Sequence, residues 1–259
     1  MRATRYADLF KKALKLRERE FISLVGGGGK TTLMFLMADT LTAQGCRVIT
    51  ATTTKIFEPR PDETPFLSLG EDEGTVLARV DHYGHVTVAS HRVPGGKLQG
   101  ITVRQADALW ESGRIDYLIN EADGAAQRPL KAPESYEPVI PLSTGVLVAL
   151  VGADAFDAPL TEDRVFRSHI FSRLTGLPLG APISYEAIAK VLTHREGITK
   201  GVPRSARIVP FVNKIDLDDS LRKGREFGRI LFEVADERID RVVLGQLQSD
   251  PPIAEVILR

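Results

Sequence analysis

Six continuous runs of apolar residues recur along the 259-residue chain, separated mainly by stretches of helical character. They are FISLV (21–25), RVITATT (47–53), YLINEADG (117–124), GVLVALVGAD (145–154), ARIVPFVNKID (206–216) and RVVLGQL (241–247). Continuous rather than alternating apolarity indicates strands that are covered on both faces, as in a parallel sheet. Alternation of such strands with helices predicts a three-layer α/β fold, with helices on both faces of a mostly parallel sheet.

Two regions depart from this pattern. Residues 57–105 are rich in proline, glycine and charge and contain short β-like pieces such as HVTVAS (85–90). We expect them to form a small β-rich insertion within a single domain that spans residues 1–259. The proline-rich segment, residues 125–144, carries four prolines and cannot form a regular element. A loop of that length within a compact domain is usually functional or disordered.

The charges of the chain balance, with 34 basic and 34 acidic residues. No global field therefore draws the protein toward nucleic acid or an anionic membrane. Cys46 is the single cysteine, which suits a reducing compartment, and no apolar run approaches the roughly 20 residues of a membrane span. The five histidines lack the spacing of a zinc site. We expect a cytoplasmic protein without nucleic-acid or membrane partners.

The phosphate loop, VGGGGKTT (25–32), directly follows the first apolar run. Glycines allow backbone N–H groups to converge on an anion, and the start of a helix adds a favourable dipole. Lys30 would reach the outer phosphates of a nucleotide, and the Thr31 hydroxyl would ligate Mg²⁺. The predicted nucleotide-binding residues of the loop are Gly26, Gly27, Gly28, Gly29, Lys30, Thr31 and Thr32. This loop makes the predicted fold P-loop NTPase-like.

The spacing of the phosphate loop is shorter than usual. The common pattern is G-x-x-x-x-G-K-[ST], whereas this chain has G-x-x-G-K-T starting at Gly26. The shorter spacing is similar to that of the Mur-type amide ligases, which have the form G-T-x-G-K-T, so a trimmed loop is compatible with nucleotide binding. The alternative is a flexible turn, whose four glycines would cost chain entropy without a ligand to order them.

The sequence Asn213-Lys214-Ile215-Asp216 follows the strand candidate IVPFV. The Asp216 carboxylate can accept two hydrogen bonds from the donors of guanine, a pair that adenine lacks. Asn213 would serve N7 and O6 of the base, and the stem of Lys214 would lie across its plane. The alternative is a turn in which an aspartate between residues 216 and 219 caps the next helix. The motif favours GTP over ATP.

Glu121 and Asp123 leave the strand candidate YLIN two residues apart, and such residues point the same way from an extended strand. A P-loop site needs an acidic residue at a neighbouring strand end to hold Mg²⁺. Together with Lys30 they are the predicted catalytic residues, one carboxylate holding the metal and the other orienting water or a substrate hydroxyl. Spacing leaves the division of roles open; we assign the metal to Thr31 and Asp123. The alternative is a turn around Gly124.

Two further sets of side chains are candidates for anion binding. The hydroxyls and ammonium of Thr52, Thr53, Thr54 and Lys55 could contact a γ-phosphate or its metal at the end of the second strand, although threonines also simply suit strands. Arg128 and Lys131, in the proline-rich segment, could bind a second anionic ligand or remain solvated.

Several of these motifs together resemble the YqeC family of bacterial proteins. They are VGGGGKTT, TATTTKIF, INEADGAAQRPLKAP, FVNKID and LTHREGITKGVP. The family is described as accessory factors for selenium-dependent molybdenum hydroxylases. The resemblance implies a P-loop fold, a role in maturation of a molybdenum or selenium cofactor, and a cofactor precursor or hydroxylase client as partner. It also strengthens the assignment of Arg128 and Lys131. Arg195 departs from the family, in which proline is common at that position.

Three functions are compatible with these features. The first is a Mg²⁺-dependent GTPase or related NTPase whose loops at 52–60 and 125–140 switch with the nucleotide. The second is a small-molecule kinase, Mur-like ligase or nucleotidyl transferase that acts on an anionic cofactor precursor. The third is a nucleotide-binding scaffold without catalysis.

Overall fold

The structure, a computed structural model, describes residues 2–259, with side chains described from residue 6 onward. The helices are α1 (Arg2–Leu14), α2 (Lys30–Thr42), α3 (Glu73–Tyr83), α4 (Val103–Glu111), α5 (Ser168–Thr175), α6 (Tyr185–Thr193) and α7 (Ser220–Val234). The strands are β1 (Glu20–Gly26), β2 (Val48–Thr52), β3 (Lys55–Phe57), β4 (Leu67–Leu69), β5 (His85–Ala89), β6 (His91–Val93), β7 (Lys97–Gln99), β8 (Tyr117–Glu121), β9 (Leu130–Lys131), β10 (Val146–Gly152), β11 (Val165–Phe166), β12 (Arg207–Asn213), β13 (Arg241–Gly245) and β14 (Ile253–Leu258).

A nine-stranded sheet forms the centre of the described chain, in the order β14-β13-β12-β10-β1-β8-β2-β5-β4. Its neighbouring strands run parallel, except that β14 pairs antiparallel with β13 at one edge. The six predicted apolar runs supply β1, β2, β8, β10, β12 and β13. The predicted α/β fold with a mostly parallel sheet is confirmed, and it is consistent with a P-loop NTPase-like fold.

Helices cover both faces of the sheet because side chains alternate between the faces along each buried strand. In β1, Ile22 and Leu24 pack in a core with α1 and α2. Phe21 and Val25 point to the opposite face, where α3 and α4 cover one part of the sheet and α5, α6 and α7 cover another. The three layers bring the carboxyl ends of the parallel strands to one edge, where the loops of interest lie.

Residues 57–105, which the sequence predicts to be a small β-rich insertion within the domain, lie partly in the central sheet. The piece expected to belong to it, β5, pairs with β2 in the central sheet, and β4 extends the sheet beyond it. All five residues of β5 are buried, and its polar side chains find partners: His85 Nε2 and Thr87 Oγ1 lie 2.9 and 2.7 Å from Thr50 Oγ1. Outside the central sheet, this region contains α3, the start of α4 and most of the small sheet, β3-β7-β6, which is antiparallel.

The N-terminal helix packs on the protein rather than standing free. In α1, Phe10, Ala13 and Leu14 are buried in the same core as α2. Among residues 2–259, no helix has the length and apolarity needed to cross a bilayer.

Candidate functional site

A cavity of about 1070 Å³ opens at the carboxyl edge of the central sheet. Its lining includes the second half of the phosphate loop after β1, Thr54 after β2, Glu121 at the end of β8 and Asn213 at the end of β12. Ligands of open α/β sheets bind outside the carboxyl ends of the strands. The cavity therefore lies where the fold class places its ligand.

The backbone of the phosphate loop is divided into two functional parts. Its first N–H groups are used inside the protein: Gly26 N donates to Asp123 Oδ2 (3.1 Å), Gly27 N to Leu150 O (3.0 Å) and Gly28 N to Arg128 O (3.0 Å). Within the described chain, the N–H groups of residues 29–32 donate to no acceptor. These four groups surround the start of α2, so they are the donors available to an anion.

Two glycines of the loop are required by close contacts. A Cβ atom at Gly27 would lie 2.6 Å from Arg128 O, because the loop packs against the backbone of the proline-rich segment. Gly29 has φ +125°, and a Cβ atom there would lie 2.6 Å from Asn213 Nδ2. The glycines therefore allow the loop to fit tightly between two other segments as well as to expose its N–H groups.

Lys30 lies in a buried cluster with both predicted carboxylates. Its Nζ is 3.2 Å from Asp123 Oδ1 and 3.7 Å from Glu121 Oε1, and it donates to Gly26 O (2.6 Å). Burial acts to lower the pKa of Lys30, but the charges of Asp123 and Glu121 outweigh it and raise the pKa above its ordinary 10.5. Burial raises the pKa of Glu121, and Lys30 and the Thr31 hydroxyl oppose that rise.

The roles of the two carboxylates differ from the metal assignment made to Thr31 and Asp123. The Thr31 hydroxyl donates to Glu121 Oε2 (2.7 Å), and Glu121 lines the cavity. Asp123 is completely buried and does not line the cavity; it contacts Lys30, Lys131 and the Gly26 N–H. The extended strand ends at Glu121, so the rule that alternate residues point the same way no longer holds at Asp123. Glu121 is the carboxylate beside Thr31.

Lys131 also differs from its prediction as a ligand for a second anion. Its side chain is completely buried, and Nζ lies 2.8 Å from Glu137 Oε2 and 3.2 Å from Asp123 Oδ2. Glu137 is paired in addition with Arg167. Burial acts to raise the pKa of Glu137, but Arg167 and Lys131 outweigh it and lower the pKa. Lys131 therefore serves as an internal counter-charge, because two carboxylates surround it in the protein interior.

Arg128, predicted together with Lys131, does line the cavity. Its Nε donates to Glu162 O (2.9 Å) and its Nη1 to Ala126 O (3.0 Å). About one-third of its side chain is exposed, and its Nη2 lies 3.7 Å from Asp163. The guanidinium is thus positioned by backbone carbonyls at the rim.

The side chains of residues 52–55 likewise divide into two that are bonded inside the protein and two that line the cavity. Thr52 Oγ1 donates to Glu121 O (2.9 Å), and Thr53 Oγ1 donates to Val139 O (2.6 Å). Both threonines are buried, and these bonds fix the end of β2 to β8 and to the proline-rich segment. Only Thr54 and Lys55 line the cavity, so Thr52 and Thr53 differ from the predicted contact with a γ-phosphate.

The Asn-Lys-x-Asp motif lies at one end of the cavity, and its first two side chains are engaged with the protein. Asn213 Nδ2 donates to Gly28 O (2.8 Å) and its Oδ1 accepts from Leu247 N (3.1 Å), which ties the phosphate loop to the loop after β13. Lys214 Nζ donates to Asp154 Oδ2 (2.7 Å). Asp216 accepts from Ser249 (3.0 Å), lines the cavity and does not cap α7, and Asp219 makes no capping bond either.

Several cavity residues were not singled out from the sequence. They are Phe57 and Lys97 of the small sheet, Tyr136 and Glu137 of the proline-rich segment, and Arg167 before α5. Arg167 has a left-handed backbone (φ 63°) and its guanidinium lies 4.6 Å from the Phe166 ring. The length of the proline-rich segment is typical of a functional or disordered loop, which leaves Tyr136 and Glu137 unspecified, and nothing local indicates that β3 and β7 lie at the same cavity as the phosphate loop.

Comparison with known proteins relates the chain to one family. The profile described as "YqeC protein" matches residues 22–169. The Escherichia coli (strain K12) "Uncharacterized protein YqeC" is 32% identical over 233 residues, which covers 90% of each chain. Among solved structures, the signal recognition particle receptor FtsY from Elizabethkingia anophelis has 11% identity and a TM-score of 0.39, with 98% of this chain and 68% of that chain covered. The profile and the Escherichia coli relative show that the chain belongs to the YqeC family.

Proposed function

We propose that this protein binds a nucleoside triphosphate with Mg²⁺ in the cavity at the phosphate loop and promotes transfer of its terminal phosphoryl group, to water or to another acceptor. The observation that carries the proposal is the set of four free N–H groups of residues 29–32, which face the same cavity as Lys30 and Glu121. Such a set of donors at a helix start binds phosphate, and the lysine complements its charge.

The residues beside the phosphate loop fit Mg²⁺. The Thr31 hydroxyl and the Glu121 carboxylate lie 2.7 Å apart and offer oxygen ligands, the type that Mg²⁺ prefers. No group of three His, Cys, Asp or Glu side chains in the described chain could hold a metal ion. This agrees with a site in which Mg²⁺ takes one or two protein oxygens and completes its shell with phosphates and water. Bound there, Mg²⁺ would neutralise charge on the outer phosphates.

A preference for GTP is part of the proposal and depends mainly on Asp216. Its carboxylate lines the cavity and accepts one bond from Ser249, which leaves acceptor capacity for the two donors of guanine. Asn213 would have to give up a bond to Gly28 or Leu247 in order to reach a base. We therefore expect Asn213 to position the phosphate loop rather than to select the base.

Transfer to a second small molecule is the alternative to hydrolysis, and the charges around the cavity favour it. Of the predicted catalytic pair, Glu121 is beside Thr31 and Asp123 is buried away from the cavity. Glu137, Glu58 and Glu63 line the cavity but are paired with cations. Asp216 is the remaining carboxylate of the described cavity lining, and the proposal assigns it to the base. None of these carboxylates is left to orient water, so we expect slow hydrolysis by the protein alone. In a kinase or Mur-like ligase the acceptor would attack the terminal phosphorus and release the nucleoside diphosphate. In a nucleotidyl transferase it would instead attack the α-phosphorus and release pyrophosphate.

The biological role that we propose is accessory to selenium-dependent molybdenum hydroxylases, the role that the sequence resemblance to the YqeC family implies. The acceptor or partner would then be a molybdenum or selenium cofactor precursor or a hydroxylase client. Loss of hydroxylase activity in cells that lack the gene, restored by wild type and not by Lys30→Met, would support this role.

Nucleotide binding is tested directly with a fluorescent GTP derivative and Mg²⁺. Unlabelled GTP should displace the probe, and ATP should do so at least roughly tenfold less well, since the site's donors and acceptors would mismatch adenine. Lys30→Met should abolish binding, with Lys12→Met, an exposed lysine of α1, as the matched control. Equal displacement by ATP would contradict the guanine preference. Normal binding to Lys30→Met would contradict the site.

A further inference from the structure

The cavity is large for a single ligand. Its volume of about 1070 Å³ lies at the upper end of the roughly 300–1,000 Å³ of pockets that enclose one drug-sized ligand. A nucleotide on the phosphate loop with its base at Asp216 would use the half between those two points. The outer half, which we define by Lys55, Phe57, Lys97, Tyr136 and Arg167, would stay open.

The small sheet supplies a flat aromatic surface to the outer half. Phe57 and Lys97 lie opposite each other in the pairing of β3 with β7, and Lys55 lies on the same face as Phe57 because the two are two residues apart. Ile56 between them is buried, whereas Phe57 is 53% exposed. Lys97 Nζ lies 4.9 Å from the centre of the Phe57 ring. An exposed phenyl ring on a rigid strand is suited to stack on a flat ligand.

The charges of the outer half favour an anion. Within the described chain, no carboxylate lies within ion-pair distance of Lys55 or Lys97. The acidic groups nearby are already paired: Glu58 with Arg92, and Glu137 with Lys131 and Arg167. The unpaired charges of this half are therefore positive.

A second aromatic ring comes from the proline-rich segment. Tyr136 is 70% exposed and lines the same cavity, and the Arg167 guanidinium lies 6.0 Å from its ring. Exposed aromatic rings beside cations on two separate segments are the arrangement expected around a ligand that is both flat and negatively charged.

We propose that the outer half of the cavity binds a second small molecule, an anion with a flat aromatic ring, which stacks on Phe57 and pairs its negative charge with Lys55 and Lys97. Thr54 and Lys55 line the same cavity as Lys30 and Thr31, so this ligand and the nucleotide would share one cavity. We assign the ligand as the acceptor or effector of the nucleotide reaction, and this assignment rests on the proposed function.

The test uses a hydroxypyrene trisulfonate, a flat fluorescent polyanion, as the probe. Its anisotropy is followed with the full chain, in the presence of saturating Mg²⁺ and a non-hydrolysable GTP analogue, so that the phosphate loop is filled. Phe57→Ala and the double variant Lys55→Gln/Lys97→Gln should each weaken probe binding roughly 5- to 10-fold. Tyr83→Ala and Lys12→Gln, an exposed aromatic and an exposed lysine outside the cavity, should leave it unchanged.

Competition between anions with and without an aromatic ring tests the contribution of stacking, whereas the double lysine variant tests the contribution of charge. A naphthalene sulfonate should displace the probe, and inorganic phosphate should do so at least about tenfold more weakly, because phosphate gains nothing from stacking. Equal displacement by phosphate would overturn the aromatic part of the proposal. Probe affinity that is the same in all variants would overturn the site.

Nucleotide binding measured on the same samples separates this proposal from the proposed function. If GTP analogues bind normally and the probe ignores Phe57 and the two lysines, the second site fails alone. If no nucleotide binds but the probe responds to those variants as expected, the proposed function fails and the second site remains.

Discussion

The buried charges beneath the phosphate loop and the open charges of the outer half of the cavity are arranged in opposite ways. Beneath the phosphate loop, Lys30, Asp123, Lys131 and Glu137 form a buried chain in which each charge has an opposite partner. In the outer half, Lys55 and Lys97 are without carboxylate partners among the described residues, next to the exposed Phe57. A charge in the interior must be paired because burying an unpaired charge costs free energy. A charge at the surface is hydrated, so it can remain unpaired until a ligand binds. A basic residue near a predicted site is therefore informative only when its burial is known.

The largest expected effect comes from breaking the buried chain. Lys131→Met should lower the free energy of unfolding by about 3–5 kcal/mol, because Asp123 and Glu137 lose their shared counter-charge. Urea unfolding measures the change. Within the described chain, Asp123 then keeps only Lys30 as a cationic partner, and Glu137 keeps only Arg167. Lys131→Met/Glu137→Gln should recover part of the loss, since one of the two carboxylates that share Lys131 becomes neutral. A change below about 1 kcal/mol in the single variant would contradict the structural role of Lys131.

A smaller effect should separate the two carboxylates of the site. Glu121→Gln should weaken the affinity for Mg²⁺ in the presence of nucleotide by about 1.5–3 kcal/mol, roughly 10- to 100-fold. The reason is that a charged metal ligand beside Thr31 is lost. Asp123→Asn should lower stability and retain the dependence on Mg²⁺. Titration of Mg²⁺ at fixed nucleotide measures the affinity for Mg²⁺ in both variants, and urea unfolding measures their stability. A loss of Mg²⁺ affinity in Asp123→Asn and not in Glu121→Gln would restore Asp123 as the metal ligand.

The raised pKa of Glu121 predicts a dependence on pH. Burial raises this pKa above its ordinary 4.5, so between 4.5 and the folded-state value the folded protein holds a proton that the unfolded chain releases. The group therefore favours folding most at low pH, and its contribution falls as the pH rises through the folded-state pKa. Mg²⁺ binds the ionised form of the Glu121 carboxylate. The affinity of the site for Mg²⁺ should therefore fall as the pH is lowered through the pKa of Glu121, by at most tenfold per pH unit.

Isothermal titration of Mg²⁺ and nucleotide at a series of pH values above 4.5 tests this dependence. Glu121→Gln should flatten the profile. If the Mg²⁺ affinity of Glu121→Gln falls equally steeply with pH, a group other than Glu121 takes up the proton that weakens Mg²⁺ binding.

The smallest expected effect is in the outer half. Lys97→Met and Lys55→Met should each change the free energy of unfolding by no more than about 0.5 kcal/mol, because neither lysine has a carboxylate partner in the described chain. They are matched controls for Lys131→Met, in which the same atoms are removed from the interior. A loss of several kcal/mol in Lys97→Met or Lys55→Met would show that the lysines of the outer half are as important for stability as the buried Lys131.

The sequence predicted the central strands well because their continuous apolarity reflects burial on both faces. It missed the place of β5, because alternating polar residues such as His85 and Thr87 indicate a half-exposed strand, and only Thr50 on a neighbouring strand satisfies them. In the site, motif spacing brought Lys30, Thr31 and Glu121 to one place. The burial of Asp123 and Lys131 depends on contacts with distant segments, which spacing does not contain.

The hydrogen bond from Gly28 N to Arg128 O, with that from Gly152 N to Pro129 O (2.8 Å), has a consequence for how this protein can vary. Both bonds join main chain to main chain, so they are indifferent to the side chains at residues 128 and 129. Substitutions there would preserve the seating of the phosphate loop, whereas the insertion or deletion of one residue would shift every carbonyl out of register. Length, more than composition, is what this part of the proline-rich segment must keep.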